Sequence, residues 1–126
     1  MEEYKRSEKR GWPEKFGDAF DGVKVGMRGQ SSFYVHFVFA AVVVAAAAVL
    51  QVSLVEWCLL VLCITIVFCA ELINSALEKL ARAITDRVDP HVAHALNIGS
   101  AAVMTAAVGA SVVGAIIFTN RLAAII

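Results

Sequence analysis

Glu71, Asn74 and Glu78 are the residues of this chain whose types and spacing best suit chemistry. They lie near the end of a stretch, Trp57 to Leu80, that otherwise reads as a membrane-spanning helix. Ionisable groups at membrane depth cost kilocalories each, so they are rare and mark functional sites by default. Spacings of three and seven residues put all three within roughly 60° of one another on a helix turning about 100° per residue. Two carboxylates and a carboxamide on one stripe, at a water-facing helix end, fit a metal and proton-transfer site. One carboxylate can take a proton from an alcohol as its oxygen attacks phosphorus, and another can hold the divalent ion that bridges nucleotide phosphates. Mg²⁺ commonly uses one or two protein carboxylates plus phosphate oxygens and water, so a short ligand set suffices. Asn74 suits an amide contact to phosphate or the orienting of a carboxylate. The same residue types also form polar seams between helices in a bundle, and spacing alone leaves both readings open.

The elements that must position this stripe are set by composition. The chain has 126 residues, 60% of them hydrophobic, and zero formal net charge. Soluble domains carry roughly 45–50% apolar residues, and a fold this small cannot bury such an excess, so its solvent is largely lipid. The expectation is an all-α integral membrane protein formed as one domain over residues 1–126, with no nucleic-acid partner. Lys5, Arg6, Lys9, Arg10, Lys15, Lys24 and Arg28 crowd the N-terminal region, while the apolar runs carry almost no charge. Cys58, Cys63 and Cys69 match no zinc or redox spacing and read as small hydrophobes.

Residues 1–12 form a polar tail, and Pro13 suits a helix start. Phe16, Phe20, Val23 and Met27 recur at helical spacing over 13–32, which predicts an amphipathic helix in the membrane interface with Trp12 as headgroup anchor. A surface helix packed on protein is the alternative. Three spans follow, at 33–55, 56–80 and 98–118, each near the roughly 20 residues needed to cross the hydrocarbon layer. The first span serves as an uncleaved anchor. Basic residues precede span one, and Lys79, Arg82 and Arg87 follow span two. That asymmetry predicts the N-terminus inside and the C-terminus outside, with Glu71, Asn74 and Glu78 toward the cytoplasm. Ala102, Ala106, Ala110 and Gly114 repeat every four residues, a spacing that lets helix backbones approach closely, and Ala45 to Ala48 can serve similarly. Asp89-Pro90 reads as a helix start with Asp89 as cap. His91 and His94 fit a solvated link better than a metal site, and His36 suits either an interfacial anchor or a lipid-headgroup contact.

The run Glu71-Leu-Ile-Asn74-Ser75-Ala76-Leu-Glu78 resembles the signature of the small bacterial integral-membrane lipid kinases, the diacylglycerol kinase and undecaprenol kinase family. Gly99-Ser100-Ala101-Ala102-Val103 is similar to that family's opening of the third span. Gln30-Ser-Ser-Phe33-Tyr34-Val-His36 lies where a related motif precedes the first span. The resemblance covers about residues 13 to 118. It implies an ATP-dependent kinase of the bacterial cytoplasmic (inner) membrane that uses Mg²⁺ and phosphorylates a lipid alcohol, diacylglycerol first and undecaprenol as the alternative. It also implies a homotrimer with active sites between subunits. By position, Glu71 matches the general base, Glu78 a metal ligand near the nucleotide phosphates, and Asn74 and Ser75 the polar support between them. Phe33 and Ser100 fall at lipid-contacting positions. Gln30 stands where the family usually has a metal-binding glutamate, Leu96-Asn97 where Lys-Asp is common, and Arg82 where aspartate is usual. Arg82, one turn beyond Glu78, is placed to replace the missing lysine at the phosphates or to pair with Glu78. These departures also admit a degenerate relative that binds lipid or nucleotide without turnover. A channel subunit, with the polar stripe lining a water path, is the least favoured reading.

Overall fold

The computed structural model of the chain describes residues 11–28 and 31–126. Most of the tail expected over 1–12, and Gln30 with its expected metal role, therefore lie outside the described residues. All regular structure among the described residues is helical: α1 (Trp12–Met27), α2 (Ser31–Val49), α3 (Leu54–Ile84) and α4 (Pro90–Ile125). The last three are each long and apolar enough to cross a membrane. At about 1.5 Å per residue, α3 and α4 run to roughly 46 and 54 Å, well beyond a 30 Å hydrocarbon layer. Both helices therefore have length to spare beyond such a layer.

The helix bounds differ from the expected segments for identifiable reasons. The first helix ends at Met27 rather than at 32, and Ser31 and Ser32 already belong to α2. The first apolar run, expected to continue to 55, breaks at Val49. There Val52 N–H donates to Ala47 C=O (3.2 Å) and Gln51 N–H to Ala48 C=O (3.3 Å), while Gln51 adopts φ 52°. This is a Schellman motif with glutamine in the left-handed position that glycine usually occupies, so no Gly or Pro signals it in the sequence. Val52 and Ala47, the motif's hydrophobic pair, are both buried. Ser53 then caps α3: its hydroxyl accepts from Glu56 N–H (3.2 Å), and Glu56 Oε1 accepts from Ser53 N–H (2.9 Å). Four residues, 50–53, thus reverse the chain. At the other link, Asp89 Oδ1 accepts from the His91 and Val92 amides (2.8 and 3.1 Å) with Pro90 opening α4, as the Asp-Pro pair predicts. The fourth helix begins there, eight residues ahead of the apolar run expected from 98.

α3 is the central element. It packs along most of α4, and α1 and α2 lie against it. The buried apolar cluster, Ala47, Val52, Leu60 and Ile117 with half-buried Trp57 and Phe118 around it, sits where the 50–53 turn meets the end of α4. Arg121 closes that end, its Nε and Nη2 donating to Glu56 Oε1 at 3.1 and 2.9 Å. At the opposite end Phe68 packs on Phe37 (centroids 4.9 Å apart) and Phe33 (6.2 Å), and α1 meets α3 at Gly26. A Cβ on Gly26 would stand 2.9 Å from Leu72 Cδ2, so glycine permits that approach.

Candidate active site

The buried residues of α3 are Leu60, Val67, Glu71, Asn74 and Ser75. Their spacing of seven, four, three and one follows a single helical face that begins apolar and ends polar. The face that packs α3 into the bundle therefore carries the polar stripe inward at the α2/α4 end. Glu71 is 3% exposed and Ser75 2%.

Glu71 is held from α2. His36 Nε2 lies 3.0 Å from Glu71 Oε1, and Ser32 Oγ donates to Oε2 at 3.3 Å. Ser32 and His36 are one helical turn apart, so their side chains share a face and reach both oxygens of one carboxylate. An ionised carboxylate offers about four lone-pair sites. Two are used here, which leaves acceptor capacity for an incoming hydroxyl.

One turn further along α3, Asn74 Nδ2 donates to Glu78 Oε1 at 3.2 Å. The Asn74 Oδ1 and Ser75 Oγ atoms are buried without a hydrogen-bond partner among the described residues. Buried polar atoms are nearly always satisfied, so two orphans beside a carboxylate point to a missing polar partner. α4 packs against this amide at Gly99, where a Cβ would come within 2.5 Å of Asn74 Oδ1. A Cβ at this position would force the Asn74 amide or α4 to shift.

The other expected site residues are placed less centrally. Phe33 is buried and stacks on Phe68, one turn before Glu71. Arg82, Asn97 and Ser100 are exposed, and Ser100 lies about 100° round α4 from buried Gly99. Among the described residues no group of three or more His, Cys, Asp and Glu side chains is positioned to hold a metal ion. His91 and His94 are exposed in the first turns of α4.

Beside the Glu71 end lies a cavity of about 490 Å³. It fills the wedge between α2 and α4 over α3, with His36 and Phe68 at one end and Phe118 among its lining. Ala110 and Gly114 face this space, so part of the small-residue stripe of α4 widens a cavity. Its walls are almost wholly apolar. A substrate with a hydroxyl head and hydrocarbon tail matches a carboxylate adjoining such a space.

Sequence reasoning missed Ser32 and His36 as partners of Glu71. The available signal was His36 itself, an ionisable residue one turn into an apolar helix. Its partner stands 35 residues away, and only packing of α2 on α3 identifies it. The Glu56–Arg121 pair, 65 residues apart, was equally out of reach.

Residues 17–118 match the family model for prokaryotic diacylglycerol kinase. The chain is also 29% identical over 117 residues to the undecaprenol kinase of Bacillus subtilis (strain 168), covering 93% of this chain and 95% of that protein. The matched region holds Glu71, Asn74, Glu78, His36 and Gly99, the residues that build the buried site, and we conclude that the chain belongs to the prokaryotic diacylglycerol kinase family of membrane lipid kinases.

Proposed function

We propose that this protein transfers the γ-phosphoryl group of ATP to the hydroxyl of a membrane polyprenol of the undecaprenol class. The observation that carries the reading is a buried carboxylate, Glu71, held by Ser32 and by His36, which itself lines an apolar cavity, with the Asn74–Glu78 pair one turn beyond. The similarity to an undecaprenol kinase over nearly the whole of both chains supports a polyprenol. Diacylglycerol, the lipid in the description of the matching family model, is the second reading.

In the proposed reaction the lipid hydroxyl donates to Glu71. Its O–H bond breaks as the oxygen bonds to the γ-phosphorus, Glu71 takes the proton, and the bond from that phosphorus to the bridging oxygen of ADP breaks. The tail lies in the wedge between α2 and α4, which sets the hydroxyl beside the base and excludes water from the reacting atoms. Asn74 and Glu78 serve the nucleotide end. The Glu78 carboxylate is the hard oxygen donor there that would hold Mg²⁺, with Gln30 as a further expected ligand, and Asn74 orients that carboxylate through its Nδ2 hydrogen bond. When bound, the ion supplies neutralisation of phosphate charge. Arg82 and Asn97, exposed at the same end, are nucleotide contacts in this reading, Ser100 is a lipid contact outside the wedge, and Phe33 acts on the lipid through Phe68, which lines that wedge.

The protein functions in the bacterial cytoplasmic membrane with Glu78 and the basic residues Lys79, Arg82 and Arg87 facing inward, where ATP is. α1 lies in the interface, its exposed Trp12, Phe16 and Phe20 toward lipid. Three copies assemble, so that a neighbouring subunit completes each site. Purified protein in mixed micelles with radiolabelled ATP, Mg²⁺ and either undecaprenol or diacylglycerol tests the reading. Undecaprenyl phosphate is the expected product, and Glu71→Gln eliminates it. Turnover that survives Glu71→Gln removes the base, and exclusive labelling of diacylglycerol replaces the substrate.

A further inference from the structure

We propose that His36 is the positioning residue for Glu71, holding its carboxylate in the one orientation from which it can deprotonate the lipid hydroxyl. The inference rests on the lipid-kinase reading above. Glu71 projects from α3 on a side chain with several rotatable bonds, and burial alone does not choose among its rotamers. The donors that choose come from α2, at positions 32 and 36, and each takes one carboxylate oxygen. The contact from His36 is the shorter, 3.0 Å against 3.3 Å. It is also the stiffer, because the imidazole is a planar ring with two torsions and is itself held. The His36 side chain is 18% exposed and its ring meets Phe68 edge-on, with centroids 6.4 Å apart. Phe68 is fixed in turn by Phe33 and Phe37. With Glu71 ionised, Nε2 carries the proton and donates, since a carboxylate is an acceptor only.

His36 also lines the apolar cavity, so it forms the threshold between tail and base. A residue that only filled space there would alter lipid binding. A positioning residue alters the rate of the chemical step, because misplacing a reacting group by about 1 Å can cost on the order of a hundredfold.

The test compares the unaltered protein with Glu71→Gln, His36→Phe and His36→Gln, in mixed micelles with ATP, Mg²⁺ and undecaprenol. His36→Phe keeps a ring against Phe68 and removes the donor. It is expected to lower kcat by roughly ten- to a hundredfold, with the KM for lipid and for ATP unchanged. His36→Gln keeps an N–H donor and recovers most of the loss. Unaltered kcat in His36→Phe, a loss confined to lipid KM, or a His36→Gln variant as slow as His36→Phe overturns the assignment while leaving the kinase reading intact. Survival of turnover in Glu71→Gln overturns both. A second measurement needs no turnover: ¹⁵N spectra of the His36 imidazole in bilayers are expected to show the Nε2-protonated tautomer, and Glu71→Leu to release it. A His36 spectrum indifferent to Glu71→Leu refutes the contact itself.

Discussion

Replacing Gly99 with alanine tests the packing around Asn74 and Glu78, the end of the site proposed for the nucleotide. Glycine to alanine in a helix interior ordinarily stabilises by roughly 0.5–1 kcal/mol, through the lower entropy of the unfolded chain. At Gly99 the added Cβ would stand 2.5 Å from Asn74 Oδ1 and 3.1 Å from Leu77 Cδ1. The first distance is about 0.9 Å short of the 3.4 Å at which ordinary contact begins. The obstructing amide is buried and tied to Glu78, so it cannot swing aside freely. Overpacking of this kind costs about 1–3 kcal/mol. The net expectation is that Gly99→Ala destabilises the protein, whereas in an Asn74→Ala background the same change becomes neutral or stabilising. The sign reversal is the signature, and the double-mutant cycle should return a coupling of about 1–3 kcal/mol. Reversible unfolding of the four proteins in mixed micelles measures it. Turnover should fall in parallel in Gly99→Ala, by roughly ten- to a hundredfold if Asn74 and Glu78 are displaced by most of that overlap. A coupling near zero, or a Gly99→Ala protein more stable than its parent, would refute the claim that α4 seats against the Asn74 amide.

Three further outcomes follow from separate parts of the structure. Glu78→Gln removes the carboxylate proposed to hold Mg²⁺ and is expected to raise the Mg²⁺ concentration needed for half-maximal turnover by about tenfold or more, with the lipid KM unchanged, in a magnesium titration of kinase activity. Ala110→Leu adds three carbons to the wall of the α2/α4 cavity and should raise the lipid KM, with little change in the ATP KM. If the lipid KM does not move, the tail lies elsewhere. Ser53→Ala breaks the reciprocal cap at the start of α3 and should cost about 1 kcal/mol in unfolding experiments while turnover per folded molecule stays constant, since the cap lies at the end remote from Glu71.

Composition and periodicity alone determined the all-helical class, three apolar helices and the placing of two carboxylates and an amide on one face of α3. Those properties are local, because helical spacing relates neighbours in sequence and apolar runs report the solvent directly. The Asp89-Pro90 start of α4 was legible for the same reason. The end of α2 was not, since Gln51 takes the left-handed conformation without the glycine that would announce it. The tertiary structure decided which way the α3 stripe faces. Packing on α2 and α4 turned Glu71, Asn74 and Ser75 inward, gave Glu71 its partners Ser32 and His36, set Gly99 against Asn74, and paired Glu56 with Arg121. Each of those contacts joins residues on different helices, at separations of 25 to 65 positions, where no periodicity can link them. They depend on how the helices cross and how closely they approach, which small residues permit but a single sequence does not specify.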